Sequence, residues 1–272
     1  MSTAVVRRVV HLMGMPVSLA LRGRGAAGEE ADDAWQRVVA ELRQVDRTFS
    51  TYRPDSVVSR LGRGAITEAD LPAEVHEVLA LAEAARRVSG GAFDPRHRTA
   101  DGRDVLDPSG VVKGWAVERA ARHLRALDGT DFCLAAGGDM VCHVAGDGPP
   151  WRVGVEDPHA TARLVATVPV RRGAVATSGF AHRGAHVVDA RTGRTPTALA
   201  SVTVVGPSLT AADVAATSAL ALGADGPGWL RSRGGLAGVV VWADGRAEVL
   251  GRGTGDLVAV RQRDVDGRRP AP

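Results

Sequence analysis

The sequence predicts a single α+β domain in which helices pack on a largely antiparallel sheet. The chain has 272 residues, of which 44% are hydrophobic and 24% charged, as in an ordinary soluble globular protein. This length is enough for one substantial core. Helix and strand patterns are mixed without a regular βαβ alternation, and glycine and proline turns separate the short strands of the second half. These observations favour an antiparallel meander.

Two strands and two helices are predicted in the N-terminal third. β-Branched residues lie on both sides of Met13-Gly14-Met15, which indicates two strands joined at a flexible point. Farther along, Trp35, Val38 and Leu42 recur at three- and four-residue intervals and give one apolar helical stripe. The predicted elements are strands over 5–13 and 16–21, a helix over 29–45, a polar loop over 46–55 and a helix over 72–88.

The rest of the chain is predicted to complete the sheet and to add two helices. The predicted helices cover 114–127 and 210–222, and the predicted strands cover 132–136, 140–145, 151–156, 164–170, 174–177, 201–205, 236–242 and 257–260. The polar residues 261–272 are expected to form a disordered tail. The domain is therefore predicted to span residues 1–260.

Composition argues against two classes of partner. The formal net charge is only +3, and 1 Tyr and 4 Phe are spread widely, whereas a nucleic-acid platform interleaves aromatic and basic residues. Nucleic acid is rejected as the main partner. Residues 9–20 superficially resemble a signal peptide, but His11 and Pro16 interrupt the apolar run, and no later stretch is long enough to span a membrane.

Two cysteines are too few for a disulfide framework, so a thiol-bearing, cytoplasmic protein is expected. Cys133 and Cys142 flank Gly137-Gly138 symmetrically. A tight hairpin at these glycines would place the two cysteines across from one another. That arrangement permits a disulfide in an oxidising compartment without requiring one.

The single lysine is the first candidate functional residue. Among 34 lysine and arginine residues only Lys113 is a lysine, within residues 106–114 (LDPSGVVKG), where a short strand is predicted to turn into a helix. A compact ammonium suits a place where the wider, planar guanidinium does not fit. The alternative is that codon bias replaced nearly every lysine and left this one by chance.

Asp213 and Thr217 are candidates for a metal site. They are four residues apart in a predicted helix and therefore project from the same face, one turn apart. A carboxylate and a hydroxyl are hard oxygen ligands suited to Mg²⁺ or Ca²⁺, with water and phosphate oxygens in the remaining positions. The alternative is that the aspartate only complements the helix dipole.

His186 is a candidate general base in residues 186–194 (HVVDARTGR). Asp189 follows it at a spacing of three, which suits a base oriented by a carboxylate or two unrelated strand residues. Because residues i and i+3 of a strand face opposite ways, a direct dyad is not expected. Both side chains can still face one ligand from a bend.

Three further features have both a structural and a functional interpretation. Gly137-Gly138-Asp139 forms either a hairpin turn or a bare backbone that a ring or phosphate can approach closely. Without a third glycine and a following helix, it is no dinucleotide fingerprint. Residues 91–95 (GAFDP) form another glycine-aromatic turn, and the single tyrosine, Tyr52, offers a stacking face in a polar loop.

Taken in order, these segments resemble the ApbE family, the FAD:protein FMN transferases. The matching segments are 13–14 (MG), 49–52 (FSTY), 91–95 (GAFDP), 106–114 (LDPSGVVKG), 137–139 (GGD), 176–179 (ATSG), 186–193 (HVVDARTG) and 212–217 (ADVAAT). The resemblance implies a T-fold-like single domain. It also implies an Mg²⁺-dependent enzyme that takes FAD as its substrate, attaches FMN to a threonine of an FMN-binding acceptor protein and releases AMP.

The resemblance further implies a role for individual residues. The metal ligands would be Asp213, Thr217 and the backbone carbonyl of Gly110. The catalytic residues would be His186, as the base, and Lys113, at the pyrophosphate. The FAD contacts would be Met13 and Tyr52 on the flavin, Asp107 at the adenine, and Phe93, Asp94, Lys113 and the backbone of Val187. Cleavage of a pyrophosphate concentrates negative charge, which Mg²⁺ and an ammonium would neutralise.

The sequence departs from the family pattern in places. Ala190 stands where proline is usual, Met15 where threonine is frequent, and residues 95–98 (PRHR) are unusually basic. These changes concern substrate details, not the metal site. No lipobox cysteine is present near the N-terminus, which favours a cytoplasmic member. Two alternatives remain: an FAD pyrophosphatase with water as acceptor, and an FAD-binding carrier without catalysis. Retention of Asp213, Thr217 and Lys113 together favours catalysis.

Overall fold

One eight-stranded sheet, with helices on one of its faces, organises the fold. The computed structural model describes residues 4–98, 104–182, 184, 186–251 and 261–262. The helices are α1 (Glu29–Phe49), α2 (Val57–Gly62), α3 (Ala73–Val88), α4 (Ser109–Arg125), α5 (Leu209–Ala221) and α6 (Gly226–Arg231). The strands are β1 (Val6–Leu12), β2 (Met15–Gly23), β3 (Arg96–Arg98), β4 (Asp104–Leu106), β5 (Thr130–Ala136), β6 (Asp139–His143), β7 (Trp151–Asp157), β8 (Ala160–Val170), β9 (Arg172–Gly179), β10 (Leu199–Gly206), β11 (Ala237–Trp242), β12 (Ala247–Leu250) and β13 (Arg261–Gln262).

The main sheet is the antiparallel meander that the sequence predicts. Its strand order is β1-β2-β5-β6-β9-β10-β11-β12, so neighbours in space follow each other in chain order. Each pairing is antiparallel. The inserted strands β7 and β8 form a hairpin that β13 extends to three strands, and β3 pairs only with β4. The predicted mixture of helices and antiparallel strands is confirmed.

Helices pack on one face of the sheet and a β-hairpin packs on the other. Helices α1, α4 and α5 pack on one face, with α4 between α1 and α5. The predicted stripe of α1 is buried there, including Trp35, Val38 and Leu42. On the other face, the β7–β8 hairpin buries a smaller cluster that includes Val168 and Val175. The molecule is therefore layered, with its larger core between helices and sheet.

Helix α1 is longer than its sequence pattern predicts. The predicted loop over 46–55 is wrong for residues 46–49, which are helical. Thr48 and Phe49 are buried, and the Thr48 hydroxyl donates to the carbonyl of Gln44 at 3.1 Å. Residues 46–55 are mostly polar, but Thr48 and Phe49 among them pack into the core. Tertiary packing therefore extends the helix past the point where the local pattern fades.

Helix α4 begins at Ser109, five residues before the predicted start at residue 114. The backbone N–H of Ser109 donates to Oδ1 of Asp107 at 2.9 Å, so a side chain satisfies one free donor of the first turn. Gly110 and Gly114 weaken the local helix signal because glycine has low helix propensity. As a consequence, Lys113 lies within the helix and not at a strand–helix junction.

Several short elements have no sequence prediction, namely α2, α6, β3 and β12, whereas β4 ends at Leu106, where the sequence predicts a short strand before the helix. The predicted strand over 257–260 lies outside the described residues. Most of the predicted tail also lies outside them, and Arg261–Gln262 form β13 against β8. The boundary at residue 260 stays a prediction. Within the described residues, no helix has both the length and the apolar character needed to cross a bilayer.

Candidate active site

The candidate site lies where α4, α5 and the β5–β6 turn meet. A glycine brings the two helices together, because a Cβ atom at position 114 would lie 2.9 Å from the carbonyl oxygen of Leu209 and 2.9 Å from Cβ of Asp213. The backbone N–H of Gly114 donates to Oδ2 of Asp213 at 3.0 Å. Gly114 therefore sets the distance between the helices and also helps to hold the Asp213 carboxylate.

Lys113 reaches two buried carboxylates from different elements. Its Nζ lies 2.6 Å from Oδ2 of Asp139 and 3.4 Å from Oδ1 of Asp213. Both aspartates are almost fully buried. The second oxygen of Asp139, Oδ1, accepts the backbone N–H of Thr177 on β9 at 2.9 Å. The single lysine thus lies in a buried ion-pair cluster that joins α4, α5 and the sheet.

The cluster brings two carboxyl groups to one ammonium. Burial raises the pKa of Asp213 to about 7, the nearby Lys113 ammonium opposes that rise, and the charge of Asp139 adds to it. A further cation beside Asp213 would favour the charged form of this carboxyl group.

The predicted metal ligands Asp213 and Thr217 both lie in α5, four residues apart, so their oxygen atoms are one helical turn from each other. The Thr217 hydroxyl lies 2.9 Å from Oγ of Ser178 on β9, which fixes its direction. Among the described residues, no three His, Cys, Asp or Glu side chains cluster into a complete metal cage. A carboxylate and a hydroxyl are hard oxygen donors, which suit a hard cation that takes its other ligands from water or phosphate. The residues present therefore fit Mg²⁺.

Gly110 and Phe93, two other predicted site residues, are in contact. A Cβ atom at position 110 would lie 2.7 Å from Cε2 of Phe93, so the ring rests against the bare backbone of α4. The backbone N–H of Phe93 is held by Oγ of Ser89 at 3.1 Å. Asp107 joins the same region, since its N–H donates to the carbonyl of Pro95 at 2.7 Å. The 91–95 turn and the start of α4 thus form one surface.

The β1–β2 turn lies beside the β5–β6 turn. The N–H of Gly137 donates to the carbonyl of Pro16 at 3.2 Å, and Val17 is paired with Ala136. Met13, in the first of these turns, has a positive φ of 53° and packs against the core. This conformation is uncommon for a residue other than glycine, so the turn holds Met13 in a defined direction.

Tyr52 and Asp94 lie in exposed or partly exposed turns. The Tyr52 side chain is 97% exposed, so its ring has a free face. Oδ1 of Asp94 accepts the backbone N–H of Arg96 at 2.8 Å. Neither residue makes a described contact with the Lys113 cluster.

His186 and Asp189 do not form a dyad, in agreement with the prediction. Nδ1 of His186 lies 3.0 Å from the carbonyl oxygen of Gly184, and Asp189 binds Arg191, with Oδ2 2.7 Å from Nη2. Hydrogen bonds from Arg191 hold the pKa of Asp189 below its ordinary value. Val187, between them, is buried in the core. The N–H of Ala190 donates to the carbonyl of Ala92 at 3.1 Å, which ties this segment to the 91–95 turn.

The structure adds two residues that the sequence analysis did not select. Asp139 is 0% exposed although it follows a Gly-Gly turn. Its signal in the sequence is weak, because an aspartate beside glycines is typical of any hairpin turn. Ser178, which orients Thr217, lies in the hydroxyl-rich end of β9. Both act through contacts with residues far away in the chain.

Comparison with known proteins shows to which family the chain is related. The profile of the ApbE family matches residues 13–102 and 97–240, which is most of the sequence. The chain belongs to the ApbE family. An FAD:protein FMN transferase of Haemophilus influenzae is 25% identical over 286 residues, with 82% of each chain covered. Another, from Vibrio cholerae, is 27% identical over 240 residues, covering 67% of this chain and 71% of the relative.

Solved structures confirm the ApbE fold. The ApbE protein of Thermotoga maritima superposes with a TM-score of 0.79 at 19% identity, covering 91% of this chain and 97% of the other. The flavin transferase ApbE of Vibrio cholerae gives 0.75 at 21% identity, with the same coverage. The flavinyl transferase ApbE of Pseudomonas stutzeri gives 0.75 at 22% identity, covering 92% and 96%. The ApbE relatives therefore share one architecture along nearly their full length.

Proposed function

We propose that this protein is an FAD:protein FMN transferase. It moves FMN from FAD onto a threonine hydroxyl of a partner flavoprotein, with Mg²⁺ at Asp213, and releases AMP. The names of the curated relatives support the flavin transfer. The observation that carries the proposal for this chain is the Lys113 ammonium, held 2.6 Å from Asp139 and 3.4 Å from Asp213, with Thr217 one helical turn from Asp213.

The reaction breaks one phosphoanhydride bond and forms one phosphoester bond. The threonine oxygen bonds to the phosphorus of the FMN half, and AMP leaves with the bridging oxygen and its electron pair. Charge builds on the phosphate oxygens during this step, and the Lys113 ammonium supplies positive charge to oppose it. Bound Mg²⁺, held by Asp213, Thr217 and the carbonyl of Gly110, would act as a Lewis acid on the same oxygens.

His186 is proposed as the base that takes the threonine proton. Its Nδ1 lies 3.0 Å from the carbonyl oxygen of Gly184. Since a carbonyl oxygen only accepts, Nδ1 carries the hydrogen of this bond, and in the neutral ring the lone pair is on Nε2. His186 is exposed, so an acceptor protein can reach that nitrogen. This tautomer suits a general base.

The remaining predicted contacts are proposed as an FAD-binding surface. The free ring of Tyr52 and the constrained turn at Met13 suit the flavin. Phe93, Asp94 and the backbone of Val187 are proposed as further FAD contacts, and Asp107 as the contact to adenine. The contact of Phe93 with Gly110 supports this surface, because it joins the 91–95 turn to the start of α4.

We also propose that the protein acts in the cytoplasm. Cys133 and Cys142 are free thiols with their sulfur atoms 3.6 Å apart. Thiols this close would be expected to oxidise in an oxidising compartment, whereas a reducing cytoplasm keeps them as thiols.

One incubation tests the proposed reaction against its alternatives. The protein is mixed with FAD and Mg²⁺, with and without a threonine-bearing FMN-binding domain, and the products are separated by denaturing electrophoresis and chromatography. Fluorescent flavin that stays on the denatured acceptor, with one AMP per flavin, supports transfer. AMP and free FMN without acceptor labelling would establish a pyrophosphatase. FAD that stays bound and unchanged would establish a carrier, and either of these two results would refute the proposed function.

A further inference from the structure

We propose that Asp139 is a positioning residue of the active site: it anchors the Lys113 ammonium, so that Asp213 stays available for the metal. The inference deepens the proposed function and rests on it for its catalytic part. Its structural part concerns only contacts within this chain and can be tested without any reaction.

Asp139 is completely buried. Its side chain is 0% exposed, and a carboxylate removed from water is costly unless it is paired and hydrogen-bonded. Its Oδ1 accepts the N–H of Thr177 at 2.9 Å. Its Oδ2 accepts no hydrogen bond of good geometry within the described residues, but it forms an ion pair with Nζ of Lys113 at 2.6 Å. Asp139 is therefore held by the sheet on one side and holds the lysine on the other.

The two carboxylates around Lys113 lie at different distances from its ammonium. Nζ lies 0.8 Å closer to Asp139 than to Asp213, from 2.6 Å and 3.4 Å. Asp213 has its own donor, since its Oδ2 accepts the N–H of Gly114 at 3.0 Å. By distance, Asp139 is the nearer of the two carboxylates to the ammonium. Asp213 can then turn an oxygen towards a metal while Lys113 stays in place.

The backbone around Asp139 is held by contacts with two neighbouring strands. Asp139 is the first residue of β6 and pairs with Ala136 across the turn. That turn is tied to the neighbouring hairpin by the bond from Gly137 N–H to the carbonyl of Pro16 at 3.2 Å. The lysine side chain, in contrast, has a flexible four-carbon stem. A fixed carboxylate can therefore set the position of an otherwise mobile ammonium.

Substitution of Asp139 is expected to move the Lys113 ammonium towards Asp213. In Asp139→Asn, the amide oxygen can still accept the Thr177 N–H, but the negative charge is gone and the other amide group only donates. The ammonium then has Asp213 as its remaining carboxylate in the cluster. Lys113 would compete with the metal for Asp213 and would stand away from the diphosphate.

The first test uses the fact that Lys113 is the single lysine of the chain. Protein labelled with ¹³C at lysine Cε gives one side-chain signal, whose relaxation reports the mobility of the Lys113 terminus. We expect a rigid signal in the wild-type protein and a shifted, more mobile signal in Asp139→Asn. An unchanged signal in Asp139→Asn would overturn the proposal, whatever reaction the protein performs.

Asp131→Asn is the matched control. Asp131 also holds a backbone N–H, that of Ala145 at 2.8 Å, and a cation, Arg22, at 2.8 Å, but at the opposite end of β5. Its substitution removes the same charge from a similar arrangement. We expect Asp131→Asn to leave both the lysine signal and the transfer rate unchanged. An equal response in both variants would show a general effect of charge loss and would overturn the proposal.

The second test is a double-mutant cycle with Lys113→Met, measured as kcat and KM for FAD in the transfer assay. Displacement of a catalytic group by about 1 Å can cost on the order of 100-fold in rate, so we expect Asp139→Asn to lower kcat by about that factor with little change in KM. If Asp139 acts through Lys113, the same substitution in the Lys113→Met background costs nothing further. Equal losses in both backgrounds would overturn the proposal.

A metal-binding measurement separates this inference from the proposed function. Mn²⁺ affinity is measured by calorimetry without FAD. We expect weaker Mn²⁺ binding in Asp139→Asn than in the wild-type protein. In the Lys113→Met background, we expect the same substitution to cause no weakening relative to Lys113→Met alone. If the wild-type protein transfers no FMN, the proposed function fails, while the lysine signal still decides the role of Asp139. Mn²⁺ binding unchanged in Asp139→Asn would overturn the competition for Asp213.

Discussion

Substitution of Gly114 by alanine tests whether the close approach of α4 and α5 creates the active site. The new Cβ atom would lie 2.9 Å from the carbonyl oxygen of Leu209 and 2.9 Å from Cβ of Asp213, whereas ordinary contacts begin near 3.4 Å. The carbonyl belongs to a helix backbone and cannot rotate away. The two helices must therefore separate by about 0.5 Å, which is the difference between these two distances.

The expected effect on stability is small. Overpacking of this kind costs about 1–3 kcal/mol, while alanine is favoured over glycine inside a helix by about 1 kcal/mol. The net destabilisation is then about 1 kcal/mol, which lowers Tm by about 2–4 °C. The effect on activity is larger, because the displaced carboxylate is Asp213. Displacement of a catalytic group by about 1 Å can lower the reaction rate about 100-fold, so a displacement of about 0.5 Å is expected to lower kcat about tenfold.

The assay compares Gly114→Ala with Gly228→Ala. Position 228, in α6, has no atom within 4 Å of the added Cβ, so alanine fits there. Thermal unfolding and FMN transfer are measured for both variants. We expect the loss of activity only at position 114, with both proteins folded. Wild-type kcat and Tm in Gly114→Ala would refute the packing argument, and so would an equal activity loss in Gly228→Ala.

Three further predictions concern the metal site, the cysteine pair and Asp189. Asp213→Ala is expected to abolish transfer with little loss of FAD affinity, measured by flavin fluorescence titration; undiminished transfer in chelator-treated buffer would contradict the metal assignment. Peroxide is expected to join Cys133 and Cys142 in a disulfide, which mass spectrometry detects as a loss of about 2 Da. For a loop of this length, the disulfide is expected to raise the free energy of unfolding by about 2–3 kcal/mol. Cys133→Ser is the control, and a wild-type protein that stays unoxidised would contradict the close approach of the two sulfur atoms. Arg191 lowers the pKa of Asp189 in the folded protein below its ordinary value of 3.8. The stability that this pair contributes is therefore fully present above pH 3.8 and is lost as the pH falls through the pKa of the folded state. If acid unfolding of Asp189→Asn showed the same loss of stability over this pH range, the prediction would be contradicted.

The hairpin of β5 and β6 shows which predictions succeed from sequence alone. The two cysteines flank the Gly137-Gly138 turn symmetrically, and the structure pairs Cys133 directly with Cys142. This prediction holds because a tight turn fixes the register of the strands on either side of it. Asp139, in the same turn, was not recognised as a site residue. Its partners, Lys113 and Thr177, come from other elements, and no local pattern contains that information.

The ends of α1 and α4 show the limit of periodicity. The stripe of Trp35, Val38 and Leu42 predicts the body of α1, but its last turn depends on the burial of Phe49, which contacts the ring of Trp115 with centroids 5.5 Å apart. At the start of α4, the N–H of Ser109 donates to the side chain of Asp107, which precedes the helix. Helix ends are decided by single contacts, which a repeating pattern does not report.

By itself, the sequence determined the mixed fold and the antiparallel order of the strands, and it selected Lys113, Asp213 and Thr217 as candidate site residues. These properties depend on short-range periodicity, turn chemistry and residue type. Only the tertiary structure decided that Lys113 lies against Asp139, that Ser178 orients Thr217, and that His186 and Asp189 have separate partners. The physical reason is that these contacts join residues through the packing of helices on the sheet, and that packing depends on all elements together.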